Sequence, residues 1–103
     1  MIPTVTNLID KIGTLITGLT ALLPPSKPED KEEEEEAKNI EDAIKKLENA
    51  IKDLEKDKNY NAGEDLFKAY EELDCKKILE GPDHQSNLIY FCNAIWGVLE
   101  QVV

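Results

Sequence analysis

AKNIEDA, IKKLENA and IKDLEKD, at residues 37–43, 44–50 and 51–57, are one seven-residue template written three times. Ala37, Ile40, Ile44, Leu47, Ile51 and Leu54 recur at alternating steps of three and four. That spacing lays a single apolar seam along a 3.6-residue period and predicts a helix, with Ala43 and Ala50 widening the seam beside Ile44 and Ile51. Glu41 and Glu48 stand four residues before Lys45 and Lys52. With the acid on the N-terminal side, each such pair is worth about 0.2 to 0.5 kcal/mol. Taken alone, isoleucine at Ile44 and Ile51 with leucine at Leu47 and Leu54 is the pattern of a parallel two-stranded coiled coil. The rest of the chain decides whether it needs a second copy, because three other segments carry seams of the same period.

The first lies at residues 4–23, where Val5, Leu8, Ile9, Ile12, Leu15, Ile16, Leu19, Leu22 and Leu23 keep heptad spacing. Thr4 is placed to cap this helix, and Pro24 and Pro25 must end it. Its other face, Thr6, Gly13, Thr14, Thr17, Gly18, Thr20 and Ala21, is small and uncharged where a solvated face would carry lysine and glutamate. Two interior glycines cost about 1 kcal/mol each against alanine, which close approach by another group would offset. A proline-rich acidic linker, residues 24–31, leads into the template helix. Pro28 suits a first-turn position, with Ser26 or Lys27 just outside, and the run Glu32 to Glu36 favours the positive end of the helix dipole. Such a run lacks the kinked backbone and carbonyl ligands of a calcium loop, so it reads as a solvated face.

Residues 58–63 carry turn-forming asparagines and Gly63, and are expected to break the chain before a third helix. Leu66, Phe67, Tyr70 and Leu73 share one face of it, whereas Cys75, Ile78 and Leu79 lie rotated about its axis. This helix must therefore bend near Asp74 or be covered on a second side, before Gly81 and Pro82 end it. A fourth begins at Asp83 or Ser86 and repeats the seam through Leu88, Cys92, Ile95, Leu99 and Val102. With Ile89, Tyr90, Phe91, Ala94, Trp96, Val98 and Val103 it is apolar nearly all round. The expected fold is all-α: one domain, residues 1–103, an antiparallel up-down-up-down four-helix bundle with left-handed heptad packing. Its helices are placed at about residues 4–23, 29–57, 62–80 and 84–102.

The composition narrows function mostly by exclusion. A chain of 103 residues buries one core without a metal or disulfide staple. The net charge of −10 comes from 22 acids against 12 bases, every base a lysine. Without arginine's bidentate clamp for phosphate and guanine, direct nucleic-acid binding is not expected. Residues 12–23, a semi-continuous apolar stretch, are too short and too threonine-rich to span a bilayer. His84 is the only histidine, so no triad, di-iron motif or metal-ligand spacing closes around it; there is no phosphate loop either, and no cofactor or enzyme activity is expected. Cys75 and Cys92 have no metal-type spacing and the chain opens on Met1 without a leader pattern, which predicts a cytoplasmic protein with reduced thiols. A hairpin pivoting between residues 83 and 84 nevertheless sets Cys75 opposite Cys92, so an exported chain would bond them.

Residues 1–23 carry no net charge and residues 81–103 carry −2, leaving −8 between them. The first and last helices therefore form an uncharged side, through Thr17, Gly18, Ala21, Tyr90, Phe91, Ala94 and Val98, opposite an acidic one. The expected function is that of a non-enzymatic adaptor, regulator or inhibitor that meets protein partners and self-associates through that side. Two alternatives belong to other classes. One is a carrier of lipid or another hydrophobic ligand, lined by the aromatic fourth helix and secreted. The other is an acidic mimic that occupies a nucleic-acid-binding site.

Overall fold

The computed structural model describes residues 5–27, 29–81 and 87–102, and no strand occurs among them. Among the described residues five helices follow one another: α1 (Val5–Ala21), α2 (Lys31–Glu55), α3 (Asn59–Glu72), α4 (Cys75–Glu80) and α5 (Ile89–Val102). At 1.5 Å per residue α2 is about 37 Å long, and it sets the long axis of a molecule measuring 44 × 28 × 18 Å. The expected Thr4 cap, the Pro28 first turn and the Asp83 or Ser86 start of the last helix lie outside the described residues, as does His84.

Each long helix buries a ladder stepped by fours and threes. These are Leu8, Ile12, Leu15 and Leu19 in α1, then Ile40, Ala43, Leu47, Ala50 and Leu54 in α2. Ala62, Leu66, Ala69 and Leu73 continue it along α3, and Leu88, Cys92, Ile95 and Leu99 along α5. The template helix is rotated from its expected pose. Ala43 and Ala50 sit fully buried at the centre, while Ile44 and Ile51 are half-buried on the flank. The cause is the neighbour: α3 offers the small residues Ala62, Gly63 and Ala69, and α2 and α3 make the most extensive helix contact in the molecule. Small side chains on both helices let the backbones approach closely, leaving the isoleucines to fill the edges.

The joints are made by aspartates. Asp30 caps α2, its carboxylate accepting the Glu32 amide hydrogen at 3.0 Å, so the cap falls at Asp30 and not at Ser26 or Lys27. At the other end Asp57 takes a left-handed conformation, φ 59°. Its amide donates to the Leu54 carbonyl and the Lys58 amide to the Asp53 carbonyl, the paired bonds that close a helix around a left-handed residue. This closure is complete by Lys58, so the residues expected to form a turn, Asn59 to Gly63, are instead the first turns of α3. Glycine suits a left-handed position better than aspartate by about 1 kcal/mol. Asp57→Gly is accordingly expected to stabilise the chain by up to that amount, as read from its denaturation midpoint.

The expected single helix over residues 62–80 is two. Asp74, also left-handed at φ 57°, ends α3 and redirects the chain into the six-residue α4. That break resolves the rotated apolar face: the change of direction turns Cys75 fully inward and half-buries Ile78 and Leu79. Gly81, the expected stop, is extended rather than left-handed. The nearly all-round apolarity of α5 is accounted for as well, since it touches α1, α3 and α4. Its two largest exposed side chains are Tyr90 and Trp96.

Candidate interaction site

The side expected to be uncharged is the outer face of α1 and α5, which pack against each other. Thr17, Ala21 and Tyr90 are exposed there, Gly18, Phe91 and Ala94 are half-buried, and Val98 is buried. The close approach that Gly18 allows is therefore taken up inside the chain. A Cβ built on Gly18 would lie 2.7 Å from Cε1 and 2.9 Å from Cζ of Phe91, so the Phe91 ring rests directly on the α1 backbone. At Gly13 a Cβ would meet nothing within 4 Å. Gly13→Ala is thus expected to gain about 0.5 to 1 kcal/mol of helix propensity, whereas Gly18→Ala must displace the ring and should fall at least about 1 kcal/mol short of it. Thermal unfolding of the two variants side by side reads the difference.

The threonines on the same side are less polar than their composition suggests. Thr14, Thr17 and Thr20 turn their hydroxyls back on their own helix, donating to the carbonyls of Asp10, Gly13 and Ile16 at 3.0, 3.1 and 2.7 Å. With those donors engaged, the face that α1 presents is chiefly methyl groups. Beside it a surface groove of about 370 Å³ runs between the helices, bordered by Thr14, Tyr90, Ala94, Gly97 and Gln101, with Lys11 as its one charged border. The Tyr90 ring, 66% exposed, stands over it and meets Phe91 edge to face at 5.3 Å between centroids.

A second apolar surface was not anticipated. Tyr60 is 80% exposed, Phe67 44% and Trp96 42%. Phe67 and Trp96 belong to one run of rings, Phe67 stacking on Tyr70 at 6.4 Å and Tyr70 meeting Trp96 at 5.2 Å. A groove of about 510 Å³ opens beside the run, between α3 and the end of α5. Tyr60 falls in the segment expected to be a turn, which hid its heptad relation to Phe67.

Charge is unevenly managed between α2 and α3. Burial, a hydrogen bond with the Asp53 side chain and the Asp53 charge push Asp65 up to about 6 from 3.8, against the opposing pull of Lys68 and Lys46. Between those values the folded carboxyl keeps a proton that the unfolded chain has released. This group's stabilisation is therefore complete below about pH 3.8 and is lost as pH rises through 6. Asp65→Asn keeps a donor toward Asp53 and cannot ionise. We expect it to stabilise the chain near neutral pH by about 1 kcal/mol after allowing for solvent screening, and to flatten the dependence of the urea midpoint between about pH 4 and 7.

Cys75 and Cys92 are joined by a disulfide, with Cα atoms 5.5 Å apart and both side chains fully buried. Of the two states expected, reduced in the cytoplasm or bonded on export, the structure has the bonded one. The α3–α4 break and the return of α5 bring the two Cα atoms into the 4.4–6.8 Å window in which a bridge closes without moving the backbone. No described helix is long and apolar enough to cross a membrane, and no group of three or more histidine, cysteine or acidic side chains able to hold a metal ion occurs among the described residues. Comparison with protein-family models, curated proteins and solved structures finds no match to this chain.

Proposed function

We propose that the chain is a non-enzymatic interaction protein, an adaptor, regulator or inhibitor, that self-associates through the outer face of α1 and α5. The observation that carries this reading is the character of that face. In a chain of charge −10 it is nearly free of charge, its threonine donors are engaged with their own helix, and Tyr90 stands exposed on it. Two copies repel each other through most other surfaces, and this one lets them approach without desolvating carboxylates. The architecture we infer is the antiparallel up-down-up-down four-helix bundle, with α4 as an added turn. In its support, the backbones of α1 and α2, α2 and α3, α3 and α5, and α5 and α1 run close together, whereas among the described residues those of the diagonal pairs α1 with α3 and α2 with α5 do not. The buried Cys75–Cys92 bridge favours an oxidising compartment over the cytoplasm.

Sedimentation equilibrium at micromolar concentration tests the association. A dimer is expected, converted to monomer by the charge-inserting pair Thr17→Lys and Tyr90→Lys with helix content unchanged. A wild-type chain that stays monomeric at every concentration examined would sink the reading.

A further inference from the structure

The groove between α3 and the end of α5 has a chemistry that the face of α1 and α5 lacks. We propose that it binds a basic amphipathic helix of a protein partner, a role independent of self-association. Tyr60 and Phe67 supply its apolar wall from α3, and Val102 faces them from α5. Gly63 is buried between the two rings along α3 and brings no side chain to the floor. Glu64 and Glu71 alternate with the rings, so that Tyr60, Glu64, Phe67 and Glu71 follow one another at steps of four, three and four.

That stepping is the same ladder by which the core helices engage one another, here displayed on the outside of α3. The stripe runs twelve residues, a rise of about 16 Å, which matches three turns of an incoming helix. Apolar side chains of such a helix would lie against Tyr60 and Phe67, and its lysines or arginines would reach Glu64 and Glu71 and pass over the ring faces, where a cation is attracted by the ring quadrupole. Charge selects this occupant. A second copy docked by the same groove would set these carboxylates against their own counterparts, and a neutral lipid gains nothing from them. Lys68, at the border, is the only base in the groove against two acids.

The test uses the full oxidised chain and a synthetic helical peptide of leucine and lysine, its leucines at three-four steps, with glutamate replacing lysine in a control. Calorimetry is expected to show saturable one-to-one binding of the lysine peptide in the micromolar range and none of the glutamate peptide. Phe67→Ala, and separately the pair Glu64→Gln with Glu71→Gln, should each weaken binding by about tenfold or more, with Phe67→Tyr restoring it and the glutamine pair reducing its salt dependence. Tyr90→Ala, which tests the other face, and the triple change E33Q, E34Q and E35Q, which neutralises the acidic run, should leave affinity within about twofold. The proposal is overturned if the lysine peptide does not saturate or the glutamate peptide binds equally. It is also overturned if the acidic-run variant loses affinity in place of the groove variants, or if Phe67→Ala dissolves a dimer, which would mean that a second copy covers the groove.

Discussion

Leu47→Ala is expected to remove about 3 to 5 kcal/mol of folding stability. Leu47 is wholly buried in α2, between the small residues Ala43 and Ala50 on its own ladder. Truncation there deletes the apolar surface and leaves a void that neighbouring alanines are too short to fill, which places it at the costly end of such substitutions. For a chain of this size, whose stability is of order 5 to 15 kcal/mol, the loss is at least about a fifth of the total. Urea denaturation followed by helix signal measures it as a lowered midpoint at unchanged slope. Ile44→Ala is the internal reference. Ile44 lies half-buried on the flank, so the same kind of truncation should cost less than half as much. Equal losses at the two positions would contradict the rotation that puts alanine at the centre of α2.

Breaking the Cys75–Cys92 bond is the second large effect. The bridge closes a loop of sequence separation 17, for which the chain-entropy account gives about 3 kcal/mol. The double variant Cys75→Ala, Cys92→Ala keeps small apolar side chains in the site, so the fall in stability that it shows is chiefly that of the cross-link. Because both sulfurs are buried, the native chain should present no thiol to an alkylating reagent and should resist mild reductant until it unfolds. In denaturant with reductant, two thiols per chain should then appear. Two reactive thiols in the untreated native protein would contradict the bond.

Much of this architecture is legible in the sequence because periodicity is a strong signal over long segments. The template helix and α1 follow from their seams, and the hairpin arithmetic that sets Cys75 opposite Cys92 needs only the position of the turn. What escapes is carried by single residues whose backbone state is decided by context. Asp57 and Asp74 occupy left-handed joints for which the sequence offers no glycine, while Gly63, which looks like a turn residue, is helical and buried. Assigning residues 58–63 to a turn detaches Tyr60 from Phe67, and the aromatic stripe of α3 disappears with it. The rotation of α2 is hidden for another reason. Side-chain size alone favours isoleucine at the centre, and only the small residues of the partner helix reverse that preference.

The disulfide also makes residues 75–92 a covalent ring through which the two ends of the chain are connected. A single peptide bond cut anywhere inside that ring leaves one molecule, lengthened by a water and carrying a new pair of termini, and the pieces part only on reduction. The ring thus offers a point at which the order of the chain can be changed without dismembering it. A copy opened inside the ring and closed by a linker between residues 103 and 1 would keep α4 bonded to α5 while exchanging which helix comes first.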